Sequence, residues 1–284
     1  MIRKSEIVDF YKDIPFNYTE DIASYKKSIE EYNQILEYID LHNLLRKREE
    51  FFKPLIKTVA EFGCGTGWLT NSIGHYYGKK ITSVDFTKKA IDIAQSVSKS
   101  MNLNITFKHC DIFDYQDSNL YDLVVSLGVL HHTIDCRKAF KKIANFVKPN
   151  GFLYVGLYHL YGRRPMLNFL QNHALWHGEN SAFNLFKRMK NDIINEEHSY
   201  SWFRDQVIHP HETQHTLEEL FDWIEEEGFV LRSTSINQYK SIDNYSKKEL
   251  IKLEKELEDY SYNKNINNLE FNPGYFTICA QKIN

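Results

Sequence analysis

Features that would mark several specialised classes of protein are missing from this chain of 284 residues. Its four cysteines form no CxxC pair, which argues against a disulfide framework and against a cysteine-ligated zinc site. The net charge of -3 gives no electrostatic footprint of non-specific nucleic-acid binding. We therefore expect neither a structural metal nor a nucleic-acid partner.

The chain also lacks a segment that would direct it to or through a membrane. Its N-terminus carries charge with no apolar run behind it, unlike a signal peptide. The longest apolar stretch, near residues 152–161, is far shorter than the roughly 20 residues that a membrane helix requires. We therefore expect a cytoplasmic protein without a membrane span.

What the chain does contain is an ordinary globular composition with many aromatic residues. Hydrophobic residues make up 42% and charged residues 26%, which is usual for a soluble globular protein. The length allows one large domain or a domain with appendages. The 18 Tyr and 19 Phe predict a well-filled core, with an aromatic-lined substrate pocket as the alternative.

The most informative stretch runs from Val59 to Thr70 and has glycine at three alternate positions. It predicts a buried strand, a tight turn whose backbone can approach a ligand, and a helix that points free N–H groups at that ligand. No Lys-Ser/Thr pair follows, which argues against the phosphate loop of nucleotide hydrolases, and G-x-G-x-G differs from the G-x-G-x-x-G of dinucleotide binders. Glu61 would repel a pyrophosphate but suits a ligand with an ammonium group.

The chain then alternates strands with helices. This alternation implies right-handed crossovers and a parallel sheet covered on both faces, with ligands bound beyond the carboxyl ends of the strands. Thr216 and Glu219 form a capping-box pattern, and Pro149 to Gly151 should end the helix before strand five. The predicted strands span 58–62, 81–84, 105–109, 121–127, 152–158, 229–235 and 275–281, and the predicted helices span 68–77, 88–101, 136–147 and 216–227.

Three regions fall outside this alternation. Residues 1–57 are predicted to form a helical cap, with helical spacing across 21–38, ahead of a main domain at 58–284. Insertions at about 159–215 and 237–270 are predicted to form a lid on the ligand side. The first contains predicted helices at 166–175 and 181–194. The second contains a charged helix at 247–260, which reads as a solvated helix with one apolar stripe, and homodimerisation through that stripe is the alternative.

Two carboxylates lie at strand ends beside the glycine turn. Asp85 follows Gly67 by 18 residues, where nucleoside-binding sheets place a carboxylate that accepts hydrogen bonds from both ribose hydroxyls. Asp111 ends strand three, where a carboxylate can accept a hydrogen bond from an exocyclic amine such as that of adenine. The alternatives are a helix cap for Asp85 and a turn residue for Asp111. Together with Glu61, these residues place three hydrogen-bond acceptors on one rim of the predicted sheet, spaced for an ammonium, a ribose and an adenine.

These motifs together resemble those of the class I S-adenosylmethionine-dependent methyltransferases. The resemblance covers about residues 58–158, 216–235 and 274–282. It implies a doubly wound α/β fold with a mostly parallel seven-stranded sheet, its last strand antiparallel, and S-adenosyl-L-methionine as cofactor. It is carried by Glu61 to Gly67, Asp85, Cys110 to Ile112, Tyr121 to Ser126 and Val147 to Leu153, in that order.

The resemblance also implies roles for individual residues. Glu61 and Gly63 would hold the methionine end of the cofactor, Asp85 the ribose, and Asp111 with the Ile112 backbone the adenine. The loop at 126–132 would pass beside the methyl-bearing sulfonium. The predicted cofactor site comprises Glu61, Gly63, Cys64, Gly65, Gly67, Asp85, Phe86, Asp111, Ile112 and Ser126.

Methyl transfer from a sulfonium is a one-step displacement, so the protein mainly aligns the acceptor with the methyl group and excludes water. A general base is needed only when the acceptor must lose a proton. His131 and His132, which follow strand four, and His211 are the predicted catalytic residues. The alternative for the first two is a loop cap or a contact with the cofactor.

Two segments supply the candidates for acceptor binding. Arg163 and Arg164 follow strand five, where an arginine could fork onto a carboxylate or phosphate, and a surface pair is the alternative. Residues 202–216 contain clustered histidines, but no zinc spacing fits, so no metal is predicted. A substrate-facing polar loop or a plain helix-entry loop is expected there instead. The predicted substrate-binding residues are Tyr158, Arg163, Arg164, Asp205, His209 and Glu212.

The sequence thus predicts a methyltransferase for a small polar or amphipathic metabolite, because the two insertions could enclose a small molecule. One alternative acceptor is a macromolecule, such as tRNA or a protein side chain. A second alternative is a cofactor-binding module without catalysis. The acceptor atom can be nitrogen, oxygen, sulfur or carbon. A homodimer is also an open alternative.

Overall fold

A seven-stranded mixed sheet forms the centre of the computed structural model, which describes residues 4–47, 55–191 and 195–283. The strand order is β3-β2-β1-β4-β5-β7-β6. β7 runs antiparallel to both of its neighbours, and the other pairs are parallel. This arrangement confirms the predicted sheet. The strands are β1 Thr58–Phe62, β2 Lys80–Asp85, β3 Ile105–His109, β4 Tyr121–Leu127, β5 Val147–Tyr158, β6 Phe229–Thr234 and β7 Tyr275–Lys282.

Helices cover the sheet and extend beyond its carboxyl edge. No helix in the described part of the chain is long and apolar enough to cross a bilayer. The α-helices are α1 Lys4–Lys12, α2 Ile22–Glu31, α3 Ile39–Arg46, α4 Trp68–Tyr77, α5 Lys88–Ser100, α6 Cys136–Ala144, α7 Leu160–His177, α8 Glu179–Lys190, α9 Glu196–Val207, α10 Leu217–Glu226 and α11 Lys247–Tyr262.

Both faces of the sheet are buried. Side chains alternate along the central strands, so each strand contributes to both faces. On β4, Leu123 and Val125 join one hydrophobic cluster and Val124 joins the other, and all three are fully buried. The first cluster includes residues of α3 and α4, and the second includes residues of α6 and α10. With both faces covered, the carboxyl ends of the strands are where such a sheet offers room for a ligand.

The start of β5 differs from the prediction. β5 begins at Val147, so the segment 149–151 lies inside the strand and not ahead of it. The register with β4 shifts between Tyr121 and Leu123, which marks a bulge. Asn150 adopts a φ of 61° there, a conformation that Asn tolerates better than most residues. The Pro-Asn-Gly signal therefore belongs to a bulge.

The first insertion is more helical than predicted. α7 starts at Leu160, earlier than the predicted 166, because Nδ1 of His159 accepts a hydrogen bond from the backbone N–H of Gly162 at 3.2 Å and caps the helix. α9 was missed, since residues 202–216 were predicted as a loop. Asn195 caps α9 by accepting from the N–H of His198 at 2.8 Å, and acidic residues follow in the first turn. An Asn followed by acidic residues is a sequence signal for the start of a helix.

Two further predicted helix ends have different outcomes. The predicted helix across 21–38 breaks after α2, where Tyr32 is extended, and continues as a 3₁₀ turn. Thr216 caps α10 as predicted, through the N–H of Glu219 at 3.0 Å. In a complete capping box, the Glu219 carboxylate would accept from the backbone N–H of Thr216. Here it accepts from Nδ1 of His215 at 2.9 Å instead.

The apolar stripe of α11 faces the interior of the chain. Leu250 is buried, and Ile251, Leu253 and Leu257 pack on the same core. The stripe is thus used within the chain, and homodimerisation stays a prediction.

Candidate functional site

A cavity of about 690 Å³ lies at the carboxyl ends of the strands. The glycine turn and the ends of β2, β3 and β4 form its floor. Residues of α1, α2 and the segment between them form one wall, and residues of α9 form another. No residue from 237 to 270 lines it, so only the first insertion contributes to the enclosure. Its volume is in the range of sites for drug-sized ligands.

The glycine turn is shaped for close approach of a ligand. Gly63, Gly65 and Gly67 have φ values of 78°, 52° and 84°, which glycine adopts without strain. A Cβ on Gly63 would lie 2.3 Å from Val129, whereas a Cβ on Gly65 would meet nothing within 4 Å. Gly65 therefore exposes bare backbone, and Gly63 and Cys64 also line the cavity.

Asp85 ties the turn to the end of β2. Its Oδ2 accepts from the N–H of Gly65 at 2.8 Å, and its Oδ1 accepts from the N–H of Thr87 at 2.7 Å. Burial raises the pKa of this carboxyl, and the two backbone donors oppose that shift. Asp85 lines the cavity, and a carboxylate has about four lone-pair sites for accepting hydrogen bonds. The carboxylate therefore both supports the start of α5 and can accept from a ligand.

The strand ends beside Asp85 complete this part of the cavity. Phe86, Asp111 and Ile112, which the sequence predicted to bind the cofactor, all line it. Asp111 Oδ1 accepts from the N–H of Phe113 at 2.7 Å, so this side chain also forms a local turn. The structure thus brings together most of the residues predicted to bind the cofactor.

Three of those residues lie beneath the cavity surface instead. Gly67 starts α4, and Ser126 donates to the carbonyl of Phe62 at 2.9 Å. Glu61 is buried and accepts from the hydroxyl of Thr70. Burial raises the pKa of Glu61 to about 8. These three residues therefore lie beneath the turn and do not contact the cavity.

We expect Glu61→Gln to flatten the pH dependence of stability. Glu61 keeps its proton up to about pH 8 when folded, but only to about pH 4.5 when unfolded. Its stabilising contribution is therefore present in full below the unfolded pKa and is lost as pH rises through the folded pKa. Thermal unfolding at about pH 5 and pH 8 should show a larger decrease in Tm for the wild type than for the variant. Exposed Glu256→Gln is the control, and equal decreases would contradict the assignment.

Arg163 is fully buried under the cavity, and all five of its N–H groups are used within the protein. The guanidinium donates to both carboxylate oxygens of Glu212, to the side chain and carbonyl of Gln206, and to the carbonyl of Pro273, at 2.7–3.2 Å. It also stacks 3.6 Å from the ring centre of Tyr158. Arg163 and Glu212 thus belong to the framework, and the prediction that they bind substrate is corrected.

Other predicted acceptor residues also lie away from the cavity. Arg164 is exposed and does not line it. His211 donates from Nε2 to the carbonyl of Thr133 at 3.0 Å, which fastens its loop to the segment after β4. Neither is placed to contact a ligand in the cavity.

Three buried histidine rings, His131, His132 and His209, pack together at the cavity wall. His131 Nδ1 accepts from the N–H of Tyr158 at 3.1 Å, and His209 Nδ1 accepts from the N–H of His211 at 3.0 Å. His132 instead donates from Nδ1 to the carbonyl of His211 at 2.9 Å. Burial lowers the pKa of His132 to about 4, that of His209 to about 3, and that of His131 well below its usual range. Of the three, only His132 lines the cavity.

Asp205 is the centre of a polar network on the cavity wall. It accepts from the hydroxyls of Tyr11 at 2.5 Å and Tyr158 at 3.3 Å, and from Gln206 Nε2 at 2.9 Å. Burial raises the pKa of its carboxyl. Tyr158 and Asp205, both predicted to bind substrate, line the cavity. His132 Nε2 lies 3.9 Å from Asp205 Oδ1.

The residues that close the cap over the cavity are not among the predicted site residues. Tyr11 bonds to Asp205, Tyr25 lies 3.1 Å from the Thr66 hydroxyl, and Trp202 Nε1 donates to Asn17 at 2.7 Å. These contacts join segments up to 194 residues apart, so no local pattern could reveal them. In the described part of the chain, no group of three or more potential ligands could hold a metal ion.

Comparisons with known proteins agree with this geometry. A family model described as a methyltransferase domain matches residues 59–151. A ubiquinone biosynthesis O-methyltransferase of Rickettsia prowazekii is 23% identical over 147 residues, covering 46% of this chain and 58% of that protein. A malonyl-[acyl-carrier protein] O-methyltransferase of Bacillus cereus is 27% identical over 171 residues, covering 59% and 58%. The chain spans about half the length of the curated relatives it matches.

Solved structures share the fold at low sequence identity. PKMT2 from Rickettsia typhi has a TM-score of 0.60 at 17% identity, covering 94% of this chain and 54% of that one. Magnesium protoporphyrin IX methyltransferase from Synechocystis, with bound S-adenosylmethionine, has a TM-score of 0.53 at 12% identity, covering 99% and 98%. Likeness at this level establishes the fold alone.

The cavity fits S-adenosyl-L-methionine. Bare backbone at Gly65 leaves room for close approach, and the Asp85 carboxylate beside it can accept from ribose hydroxyls. The match of residues 59–151 to a methyltransferase domain and the sheet order show that the chain contains a methyltransferase domain with the α/β fold of the class I enzymes, with S-adenosyl-L-methionine as its cofactor.

Proposed function

We propose that the protein transfers a methyl group from S-adenosyl-L-methionine to a small-molecule acceptor. The observation that carries this proposal is the enclosure of the cavity by the N-terminal helices and α9, directly above the glycine turn. When bound, the cofactor supplies an activated methyl group whose displacement leaves a neutral thioether. The residues of the chain then serve to bind, align and exclude water.

We propose that residues along the cavity floor hold the cofactor. Asp85 accepts hydrogen bonds from the ribose hydroxyls, Asp111 and the backbone of Ile112 contact the adenine, and the backbone at Gly63 and Gly65 lies along the methionine end. The positions of these residues along one cavity floor support this order. Glu61 contributes from below, through the turn.

The closed cap supports a small acceptor over a macromolecule. Arg204 donates to the carbonyl of Phe10 at 2.7 Å and lies 4.2 Å from its ring centre. With the bonds of Tyr11 and Trp202, this contact holds the cap against α9. A nucleic acid or folded protein would have to displace these contacts to reach the sulfonium, whereas a metabolite can be enclosed by them.

Two relatives are O-methyltransferases, one of ubiquinone biosynthesis and one of malonyl-[acyl-carrier protein], which is compatible with a metabolite or with a carrier-bound acyl group as the acceptor here. The alternatives are an RNA or protein acceptor and a binding module without catalysis. Incubation with methyl-labelled cofactor and lysate separated into small molecules, RNA and protein tests all three. We expect label in the small-molecule fraction and S-adenosylhomocysteine as the second product. Label in RNA or protein contradicts the small acceptor, and no turnover contradicts catalysis.

A further inference from the structure

Resting on the proposed function, we infer that the acceptor presents a hydroxyl group, and that the pair formed by His132 and Asp205 takes up its proton. The protein is then an O-methyltransferase for a hydroxyl-bearing small molecule. The inference rests on the tautomer of His132, the position of Asp205, and the charge that these groups offer to an acceptor.

The tautomer of His132 follows from its backbone partner. The carbonyl of His211 can only accept, so Nδ1 of His132 carries the hydrogen and Nε2 carries the lone pair. This Nε2 is buried, and it has no hydrogen-bond partner among the residues that the structure describes. The side chain is 5% exposed and lines the cavity. A buried acceptor without a partner is costly unless something in the working site donates to it.

The neighbouring histidines have the opposite tautomer. His131 and His209 accept at Nδ1 from backbone N–H groups, so their lone pairs are occupied and their Nε2 atoms carry hydrogens. Neither lines the cavity. Of the three packed rings, His132 alone can accept a proton from the cavity side without a change of tautomer.

Asp205 supplies the countercharge for that proton. Its Oδ1 lies 3.9 Å from Nε2 of His132, which is the separation of an ion pair once the imidazole is protonated. The carboxylate is held by Tyr11, Tyr158 and Gln206, so it need not reorganise when the proton arrives. The other titratable groups around His132 are His131, His209, His211, Tyr158, Glu212 and Arg163, of which Arg163 is paired with Glu212.

This arrangement suits a hydroxyl better than other acceptors. A hydroxyl such as that of tyrosine, with a pKa of about 10, keeps its proton at neutral pH and needs a base during transfer. A carboxylate acceptor would need no base and would be repelled by Asp205. In the step, a lone pair of the hydroxyl oxygen would form the O–CH₃ bond, the C–S bond would break with its electrons going to sulfur, and the O–H proton would pass to Nε2 of His132, where Asp205 balances the new positive charge.

His132→Asn tests the base directly, because the Asn amide can still donate to the carbonyl of His211 while the Nε2 lone pair is lost. We expect unchanged affinity for S-adenosylhomocysteine and a decrease in kcat of about 100-fold or more on the small-molecule fraction that accepts label. The wild-type rate should decrease as pH falls through the pKa of His132, about 4, because protonation occupies the Nε2 lone pair, and this decrease should disappear in the variant. Asp205→Asn should lower kcat by about 10-fold or more. Exposed His75→Asn should behave as the wild type.

Two further readouts keep the inference separate from the proposed function. The ¹³C shift of the transferred methyl group identifies the acceptor atom: an O-methyl product supports the inference, and an N-, S- or C-methyl product overturns it while the proposed function stands. Nitrogen-15 NMR of the histidines, assigned through His132→Asn, needs no acceptor. A hydrogen on Nδ1 of neutral His132 is expected, and a hydrogen on Nε2 overturns the inference. Label found only in RNA or protein overturns both.

Discussion

Asp85→Ala is expected to weaken binding of S-adenosylhomocysteine by about 100-fold. Hydrogen bonds to a charged group contribute about 1.5–3 kcal/mol each, and about 1.4 kcal/mol corresponds to tenfold in Kd. The variant removes the carboxylate that lines the cavity and also leaves the N–H groups of Gly65 and Thr87 without their partner. Isothermal titration calorimetry of the purified chain measures the change.

The control for this prediction separates ribose binding from damage to the turn. Asp92→Ala lies on the exposed side of α5, where Asp92 pairs with Lys88, and should leave Kd unchanged. Asp85→Asn keeps one oxygen acceptor for the turn and should weaken binding by less than Asp85→Ala does. Unchanged affinity in Asp85→Ala, with the variant folded by thermal unfolding, would remove Asp85 from the cofactor site.

Arg163→Met is expected to lower the free energy of unfolding by about 3–5 kcal/mol. Removal of one partner of a buried ion pair leaves the other charge uncompensated. Here Glu212 would lose its partner, and acceptors on Gln206 and Pro273 would lose their donors. Urea unfolding at neutral pH measures the loss. The neighbouring Arg164→Met is a matched control, because Arg164 is exposed, and it should change stability by no more than about 0.5 kcal/mol.

A double variant identifies the cause of that loss. If the uncompensated charge dominates, Glu212→Gln added to Arg163→Met should restore part of the stability, because the two residues are in contact and their effects are not additive. A similar loss in Arg163→Met and Arg164→Met would show that the buried network contributes little. In that case, Arg163 would again be available as a candidate for binding an anion.

Much of the sheet could be predicted because each strand carries its own local signal. β1, β3 and β4 have the predicted bounds, and so does α4, since apolar runs and the glycine turn define them without reference to distant residues. The strand ends then meet at one edge by the geometry of a parallel sheet, which is why Asp85 and Asp111 were identified as neighbours.

The acceptor side was predicted less well because its residues are positioned by distant partners. Arg163 and Arg164 are adjacent and chemically identical, yet one is fully buried and the other is exposed. A histidine-rich segment likewise cannot show which ring nitrogen carries a lone pair, because that depends on a backbone group from another segment.

The amino-acid sequence by itself therefore determined the sheet, the glycine turn and the resemblance to a methyltransferase domain, since these depend on local periodicity and on motif order. Only the tertiary structure decided which polar residues face the cavity. It showed that Arg163 and Glu212 form a buried ion pair away from the cavity. It also placed Asp205 beside His132, with the hydroxyl of the N-terminal Tyr11 donating to Asp205. The physical reason is that burial and hydrogen-bond partners come from residues far apart in the chain, and these partners assign each polar side chain its role.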